Sequence, residues 1–293
     1  MSGKLSFVDI LLGLSVALVW GMGIVFAKGA IADFPPILLM ALRFAVTALA
    51  LVWFVKPPLG QMGPFFVIAL ISAAIQYSLT FTGLTGIDAS IAALVVQLEV
   101  PFLVILGALF LGEKTGMKKW IGIIIAFVGV GLIAGEPKLG GAWLHLGLVA
   151  GGALSWSIGQ VLVRSLKDVS GMTVTAWVAV FATPQLFIMS WIFEDNQLSA
   201  LQSAGWLVWS SVLYLGLIMT VLGYGIWYTL VRKHPVSLVA PFLLMLPVFS
   251  VIGGRIFLDE RMTTQTTFGG VLVIAGVAFI LLERTGKASV EAG

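Results

Sequence analysis

The sequence predicts an all-α polytopic membrane protein in which ten transmembrane helices form two five-helix repeats of inverted topology. Three observations predict this fold class: an apolar composition, ten apolar runs of spanning length, and an internal repeat with an odd number of spans. Of the 293 residues, 60% are hydrophobic and 10% are charged. Soluble domains carry roughly 25% charged residues, so the lipid bilayer must be the solvent of this chain.

Ten apolar runs are long enough to cross the membrane, because a spanning helix needs about 20 residues. Turns that contain proline or charged residues separate the runs, and no room remains for a separate soluble domain. The runs lie at about 9–27, 36–55, 64–83, 89–111, 119–135, 145–163, 172–193, 205–231, 237–258 and 265–283.

Lysine and arginine are distributed unequally between alternate loops. The loops on the side of the N-terminus carry eleven of these residues, and the loops on the other side carry three. Because cytoplasmic loops are enriched in lysine and arginine, the bias predicts that both termini are cytoplasmic. The eleven are Lys4, Lys56, Lys114, Lys118, Lys119, Arg164, Lys167, Arg232, Lys233, Arg284 and Lys287, and the three are Lys28, Lys138 and Arg261.

The second half of the sequence repeats the first. When residues 90–134 are laid over 237–281, at a shift of 147, thirteen of the 45 pairs are identical. At a shift of 136, Trp20 falls on Trp156. Apolar helices resemble one another by composition, but composition alone does not explain glycines and tryptophans that match in order.

The repeat divides the chain into residues 1–138, with spans 1–5, and residues 139–293, with spans 6–10. Since each half holds an odd number of spans, the second half must be inserted upside down relative to the first. Two halves of one fold in opposite orientations are the architecture of alternating-access transporters. The repeat therefore predicts a transporter with its site at mid-membrane, between the halves.

Prolines interrupt spans 4 and 9 at nearly corresponding positions. Pro101 and Pro247 are 146 residues apart, and Pro241 lies six residues before Pro247. Each proline removes a helical hydrogen bond and kinks its helix. Interrupted helices at matching positions point to a transport site, and the alternative is a kink without function.

Polar and aromatic side chains at mid-span form the predicted substrate-binding set. Rings stack on apolar side chains, and amides and hydroxyls bind polar groups, so the set suits a neutral or zwitterionic solute. For the aromatic residues the alternative is a role in helix packing. The predicted substrate-binding residues are Trp20, Gln76, Tyr77, Ser78, Gln97, Trp156, Gln160, Tyr224 and Trp227.

Arg43 and Glu99 are two charged residues deep within the predicted spans. A charge at mid-bilayer costs on the order of 2.5–3.5 kcal/mol unless it is compensated. Each therefore requires a partner, water or neutralisation. The sequence leaves two specific alternatives open: a mutual ion pair between them, and a proton-coupling role for Glu99.

Several kinds of site are excluded or unsupported by the sequence. The chain has no cysteine, so thiolate chemistry and disulfides are impossible. His145 and His234 fall at opposite ends of the predicted spans, and no phosphate-binding glycine loop occurs. We therefore predict no catalytic residue, metal site, cofactor or nucleic-acid partner.

The paired halves and their turns resemble the drug/metabolite transporter superfamily, EamA type. The resemblance covers essentially the whole chain and implies a secondary transporter of small metabolites in the plasma membrane, the inner membrane of bacteria. Within the superfamily the sequence is similar to the YddG-like aromatic amino acid exporters, which implies amino acids as solutes. The residues that carry the resemblance are Phe110-Leu111-Gly112-Glu113-Lys114, Phe257-Leu258-Asp259-Glu260-Arg261, Trp20-Gly21, Trp156-Ser157 and Arg43-Phe44.

Other functions remain as alternatives to amino acid export. The nearest is broad-specificity efflux of drugs and metabolites, which the same fold supports. An intramembrane enzyme is a remote alternative, because the spans offer no converging set of catalytic side chains. A scaffold or sensor would leave the inverted repeat without a purpose. The sequence is compatible with either a monomer or a homodimer.

Overall fold

The computed structural model describes residues 5–110, 112–113, 115–136, 140–234 and 236–282. Within these ranges all regular secondary structure is helical, and ten stretches are long and apolar enough to cross a membrane, which confirms the predicted all-α membrane fold and the number of spans. In order, spans 1 to 10 are Phe7–Ala30, Pro36–Phe54, Met62–Thr85, Ala89–Phe110, Met117–Ala134, Trp143–Val163, Gly171–Phe193, Trp206–Lys233, Ala240–Phe257 and Thr264–Leu281.

The predicted boundaries agree with these spans to within three residues. Span 1 begins two residues earlier than predicted because Ser6 and Asp9 form a capping box. Oγ of Ser6 accepts the backbone N–H of Asp9 at 3.2 Å, and Oδ2 of Asp9 accepts that of Ser6 at 3.0 Å. The box satisfies N–H groups that a helix start otherwise leaves without partners.

Span 2 ends in a single 3-10 turn at Val52–Phe54, and four other spans depart further from a continuous α-helix. Span 3 contains a π-helical segment at Leu70–Ile75, and span 8 contains one at Tyr214–Leu222. In span 4 one helix ends at Val96 and the next begins at Glu99, and span 9 starts with a 3-10 segment at Ala240–Leu244. Spans 3 and 8 correspond in the predicted repeat, as do spans 4 and 9, so the irregular backbone is distributed alike in both halves.

Spans 5 and 10 pack at very short distance through paired glycines. A Cβ atom on Gly122 would lie 2.6 Å from the carbonyl oxygen of Gly276, and a Cβ on Gly276 would lie 2.5 Å from that of Gly122. Gly129 and Gly269 face each other in the same way, at 2.7 and 2.8 Å. Only glycine allows the two backbones to approach this closely.

These contacts have the symmetry that the repeat predicts. Gly122 corresponds to Gly269 at the shift of 147, and Gly129 corresponds to Gly276. Interchanging the two halves therefore converts the Gly122–Gly276 contact into the Gly269–Gly129 contact. A two-fold axis produces this kind of exchange. The predicted boundary between residues 138 and 139 lies outside the described residues.

A second pair of contacts follows the same relationship. Where span 1 crosses span 9, a Cβ on Gly21 would lie 2.6 Å from the carbonyl oxygen of Leu246. Where span 6 crosses span 4, Oγ of Ser157 donates to the carbonyl oxygen of Glu99 at 2.9 Å. Ser157 is the counterpart of Gly21, and Glu99 is the counterpart of Leu246. The equivalent crossings of the two predicted halves thus meet at equivalent residues.

Charged residues join the spans at the N-terminal face, the end of the bundle where span 1 begins. Asp9 accepts a hydrogen bond from Nζ of Lys233 at 2.8 Å, and its Oδ2 lies 3.0 Å from Nε2 of His234. Arg164, at the end of span 6, pairs with Glu113 in the turn after span 4. These contacts connect span 1 to span 8 and span 6 to span 4.

Glu260 caps span 4 at the opposite face. Its carboxylate accepts the backbone N–H groups of Ala89 at 2.6 Å and Ser90 at 3.0 Å, and also the Ser90 hydroxyl. Burial and the nearby Glu260 carboxylate raise the pKa of Asp88, while Lys28 opposes that shift. Span 4 therefore begins in a small network of charges.

Glu194 caps span 2 at the same face. Its oxygens accept the backbone N–H groups of Ile37 at 2.7 Å and Leu38 at 3.0 Å, and the Ser190 hydroxyl donates to it at 2.7 Å. Burial raises the pKa of Glu194, and these hydrogen bonds lower it in part. A carboxylate at a helix N-terminus also interacts favourably with the helix dipole.

Candidate substrate site

Arg43 lies near the middle of span 2 with only 1% of its surface exposed. Its Nε and Nη2 atoms donate to Oγ1 of Thr220 at 3.3 and 3.2 Å, and Nη2 also donates to the phenol oxygen of Tyr77 at 3.3 Å. Nη1 contacts Sδ of Met40 at 3.7 Å, and a thioether is a weak acceptor. All of these partners are neutral, so the guanidinium has no charged hydrogen-bond partner among the described residues, although it lies inside a span.

The ion pair between Arg43 and Glu99, one of the two alternatives from the sequence, is not formed in this structure. Among the described residues no oxygen of Glu99 lies within 4.0 Å of a guanidinium nitrogen of Arg43. The guanidinium is instead engaged by a hydroxyl and a phenol from spans 8 and 3. Glu99 is half-buried at the start of the second helix of span 4.

The two oxygen groups that bind Arg43 lie in or just after the π-helical segments of spans 8 and 3. Thr220 lies within the π-helical segment of span 8, and its Oγ1 donates to the carbonyl oxygen of Leu215, five residues earlier, at 2.7 Å. Tyr77 follows the π-helical segment of span 3 by two residues. Segments of this kind occur frequently at functional sites. Arg43 therefore connects the two most irregular stretches of these spans.

Aromatic rings cover one side of the guanidinium. Cζ of Arg43 lies 4.6 Å from the ring centroid of Tyr77 and 5.3 Å from that of Phe44. The two rings meet edge to face at 5.0 Å, and Phe81 stacks on Tyr77 at 5.7 Å. Cation–π attraction partly replaces the hydration that Arg43 loses on burial.

A second aromatic cluster lies between spans 1 and 8. The ring of Trp20 lies 5.0 Å from that of Tyr224 and 5.9 Å from that of Trp227, and Tyr224 stacks on Tyr228 at 5.8 Å. Nε1 of Trp20 donates to the carbonyl oxygen of Met219 at 3.0 Å. Trp20, Tyr224 and Trp227, all predicted from the sequence, are thus in contact.

Tyr224 connects this cluster to the charged residues. Its hydroxyl interacts electrostatically with Arg43, Glu99 and Tyr77. Tyr77, Glu99 and Tyr224 are half-buried and remain partly accessible, whereas Arg43 is buried. They form a single set at mid-membrane, which we call the central group and which consists of Trp20, Arg43, Tyr77, Glu99, Thr220, Tyr224 and Trp227.

Gln76 and Ser78 flank Tyr77 but face neighbouring spans. Nε2 of Gln76 donates to Oγ1 of Thr80 at 3.3 Å on the side that packs against span 6, and its buried Oε1 has no hydrogen-bond partner among the described residues. Oγ of Ser78 lies 3.6 Å from Sδ of Met189 in span 7. The geometry does not bring these two predicted residues into the central group.

The remaining predicted residues lie on spans 4 and 6. Gln97 is buried at the break in span 4, and its Nε2 has no hydrogen-bond partner in the part of the chain that the structure describes. Trp156 and Gln160 are half-buried on span 6. Within the described part of the chain, no ring contact or hydrogen bond joins either of them to the central group.

The prolines lie at the helix interruptions. The carbonyl oxygen of Gln97, which Pro101 deprives of its usual partner, accepts the N–H of Val100 at 3.2 Å. Pro241 lies within the 3-10 segment of span 9, and Pro247 lies in the first turn of the α-helix that follows. Spans 4 and 9 thus change helical geometry just before each of the two corresponding prolines.

Three residues around Arg43 were not predicted from the sequence. Phe44 and Phe81 were missed because phenylalanine is ordinary in a membrane span. Thr220 was missed although it is the single hydroxyl-bearing residue in the apolar run 215–223, a signal that could have identified it. A polar residue isolated in a span requires a partner, and here the partner is Arg43.

The sequence model of the EamA-like transporter family matches residues 8–135 and 143–282. The chain belongs to this family. It is therefore a multi-pass membrane transporter and not an enzyme. Each of the two matches to the EamA-like family covers five spans.

Individual EamA-like relatives match over nearly the full length. A protein of Escherichia coli (strain K12) described as a probable amino-acid metabolite efflux pump is 30% identical over 97% of this chain and 98% of its own length. A protein of Salmonella typhimurium with the same description is 30% identical over 92% and 93%. A solved crystal structure with 20% identity superposes with a TM-score of 0.64 over 94% of this chain and 98% of its own.

Proposed function

We propose that this transporter exports small neutral or zwitterionic metabolites, with aromatic and other hydrophobic amino acids as its preferred solutes. The observation that carries the proposal is the central group, in which aromatic rings and hydroxyls surround a buried guanidinium at mid-membrane. Rings accept an apolar side chain, and the polar groups accept the ends of a zwitterion. The names of the Escherichia coli and Salmonella relatives support the same class of solute.

Transport is proposed to occur by alternating access between residues 1–138 and residues 139–293. The exchange-symmetric glycine contacts of spans 5 and 10 and the matching interruptions of spans 4 and 9 support this mechanism. The lysine and arginine bias supports cytoplasmic termini, and the bacterial relatives support a location in the inner membrane.

Counterflow in proteoliposomes tests the proposed function. Vesicles loaded with unlabelled tryptophan, phenylalanine or methionine should accumulate the labelled amino acid, and protein-free vesicles should not. The absence of exchange for all three amino acids would reject amino acid export. Exchange of structurally unrelated apolar drugs in that case would favour the broad-specificity efflux alternative.

Proton coupling through Glu99 is proposed as a further part of this mechanism. Glu99 has no cationic partner within 4.0 Å among the described residues and is half-buried in a span, so a proton could neutralise it in one state. Flux should then depend on an imposed pH gradient, and Glu99→Gln should abolish that dependence. Unchanged flux with an unchanged gradient dependence in the variant would reject coupling.

A further inference from the structure

Arg43 combines nearly complete burial with incomplete hydrogen bonding. The guanidinium is a cation with five N–H donors and no means of losing its charge in a protein. Nε and Nη2 are bonded to Thr220 and Tyr77, but the two N–H groups of Nη1 share one thioether at 3.7 Å. The Nη1 edge of the guanidinium therefore remains without an oxygen acceptor among the described residues.

The charge of Arg43 likewise has no direct counter-ion among the described residues. Within the described residues no carboxylate lies within 4.0 Å of it. A buried charge without a counter-ion is strongly unfavourable unless a ligand or water supplies what the protein does not. The planar fork of arginine matches a carboxylate in two parallel hydrogen bonds, which makes it a suitable carboxylate receptor.

We infer that Arg43 is the carboxylate-binding residue of the substrate site, so the transported solutes carry a free carboxylate group. The carboxylate binds the guanidinium, and the apolar part of the solute lies against Trp20 and Tyr224. Because Arg43 is 1% exposed and the ring of Tyr77 lies over its guanidinium, entry of the carboxylate requires this ring to move aside. This assignment deepens the proposed function and rests on it.

The test compares solutes that differ only in the carboxylate. In wild-type proteoliposomes, phenylalanine should compete with labelled phenylalanine at least about tenfold better than phenylalaninamide, because charge-assisted hydrogen bonds are roughly twice as strong as neutral ones. In Arg43→Gln the ratio should fall to about one. Arg255→Gln is the matched control, because Arg255 is exposed and pairs with Asp259 near the end of span 9.

A structural role for Arg43 predicts different results. The thermal unfolding temperature in detergent, with and without each solute, separates the two roles. A ligand-binding role predicts that Arg43→Gln folds and loses the stabilisation that phenylalanine gives the wild type. If Arg43→Gln does not fold, Arg43→Lys keeps the charge without the fork, and its acid-to-amide ratio should fall below the wild-type value.

The possible failures are distinguishable. If wild-type vesicles exchange no amino acid, the proposed function fails. If they exchange amino acids but phenylalaninamide competes as well as phenylalanine, only the assignment of Arg43 fails. A wild-type acid-to-amide ratio in Arg43→Gln, or in Arg43→Lys where the glutamine variant does not fold, would also overturn the assignment.

Discussion

Thr220 accepts two hydrogen bonds from Arg43, to Nε at 3.3 Å and to Nη2 at 3.2 Å, while its own proton is donated to the carbonyl oxygen of Leu215. The hydroxyl thus joins a buried charge to the π-helical backbone of span 8. In an α-helix the carbonyl oxygen of Leu215 would accept the backbone N–H four residues later. Here it accepts the side-chain hydroxyl of Thr220, five residues later. The position of Arg43 and the geometry of span 8 therefore depend on one oxygen atom.

Thr220→Val should impair the protein by removing this oxygen while keeping the shape of the side chain. The guanidinium loses two of its three oxygen hydrogen bonds, and an unsatisfied buried donor costs about 1–3 kcal/mol. We expect a lower unfolding temperature in detergent together with slower counterflow. Thr229→Val is the control, because Thr229 is exposed on the same span and donates only to the carbonyl oxygen of Gly225. Equal unfolding temperatures for the two variants would contradict this account.

Trp20→Ala should reduce transport more than Trp156→Ala does. Trp20 contacts Tyr224 and Trp227 and donates to span 8, whereas no comparable contact of Trp156 is present among the described residues. We expect counterflow to fall about tenfold for Trp20→Ala and by less for Trp156→Ala. The control is Trp191→Ala, because Trp191 is 80% exposed on the outside of the bundle. If neither of the first two variants alters transport, the assignment of tryptophans to the substrate site is wrong.

The sequence predicted the fold more completely than it predicted the site. Span positions follow from hydropathy, which acts locally along the chain, and the structure agrees with them to within three residues. The direction in which a side chain points depends on the rotation of its helix, which hydropathy does not determine when a span is apolar on all sides. Gln76 and Tyr77 illustrate this limit: they are adjacent in sequence, yet one faces span 6 and the other faces Arg43.

The Arg43–Glu99 ion pair is absent from this structure for a related reason. The sequence places both residues deep within their spans, and depth says nothing about which neighbour lies between them. The structure places Thr220 and Tyr77 next to Arg43 instead. A search for isolated hydroxyl groups in the apolar spans would have identified Thr220 as a candidate partner.

Gly129→Ala should destabilise the contact between spans 5 and 10. The added methyl group would lie 2.7 Å from backbone atoms of Gly269 and Val273, which cannot move aside as a flexible side chain could. We expect a loss of about 1–3 kcal/mol, which is typical of overpacking, measured by unfolding in detergent. Gly131→Ala in the same helix has no atom within 4 Å of its new Cβ and should be neutral or slightly stabilising. A destabilising Gly131→Ala would show that helix context rather than packing decides the effect.

Glu260→Gln should weaken the start of span 4. The two carboxylate oxygens accept the backbone N–H groups of Ala89 and Ser90 separately, and in glutamine one of these oxygens becomes an NH2 group, which cannot accept an N–H. The loss of a helix cap costs about 0.5–2 kcal/mol, which thermal unfolding would detect. The control is Asp259→Asn, because Asp259 is largely exposed and asparagine tolerates its positive φ of 53°. Similar stabilities of the two variants would show that the cap contributes little.

The inverted arrangement can be tested with single cysteines, because the chain contains none. Met117 and Thr264 are counterparts at the shift of 147, each is the first residue of its helix, and both are exposed. If the second half is inserted upside down, these two positions must lie on opposite sides of the membrane. A membrane-impermeant maleimide applied to intact cells should label Thr264→Cys but not Met117→Cys, and permeabilised cells should show labelling of both.

Two isosteric serine substitutions calibrate that experiment. Ser165 follows span 6 at the N-terminal face, and Ser199 follows span 7 at the opposite face, and both are exposed. With cytoplasmic termini, Ser199→Cys should react in intact cells and Ser165→Cys should react after permeabilisation. If the serine controls and the two counterpart positions all react from the side opposite to the one expected, the orientation in the membrane is reversed and the inverted repeat still holds. Counterparts in a parallel repeat lie on the same face of the membrane. Labelling of both counterpart cysteines from the same side would therefore reject the inverted repeat, and with it the structural basis proposed for alternating access.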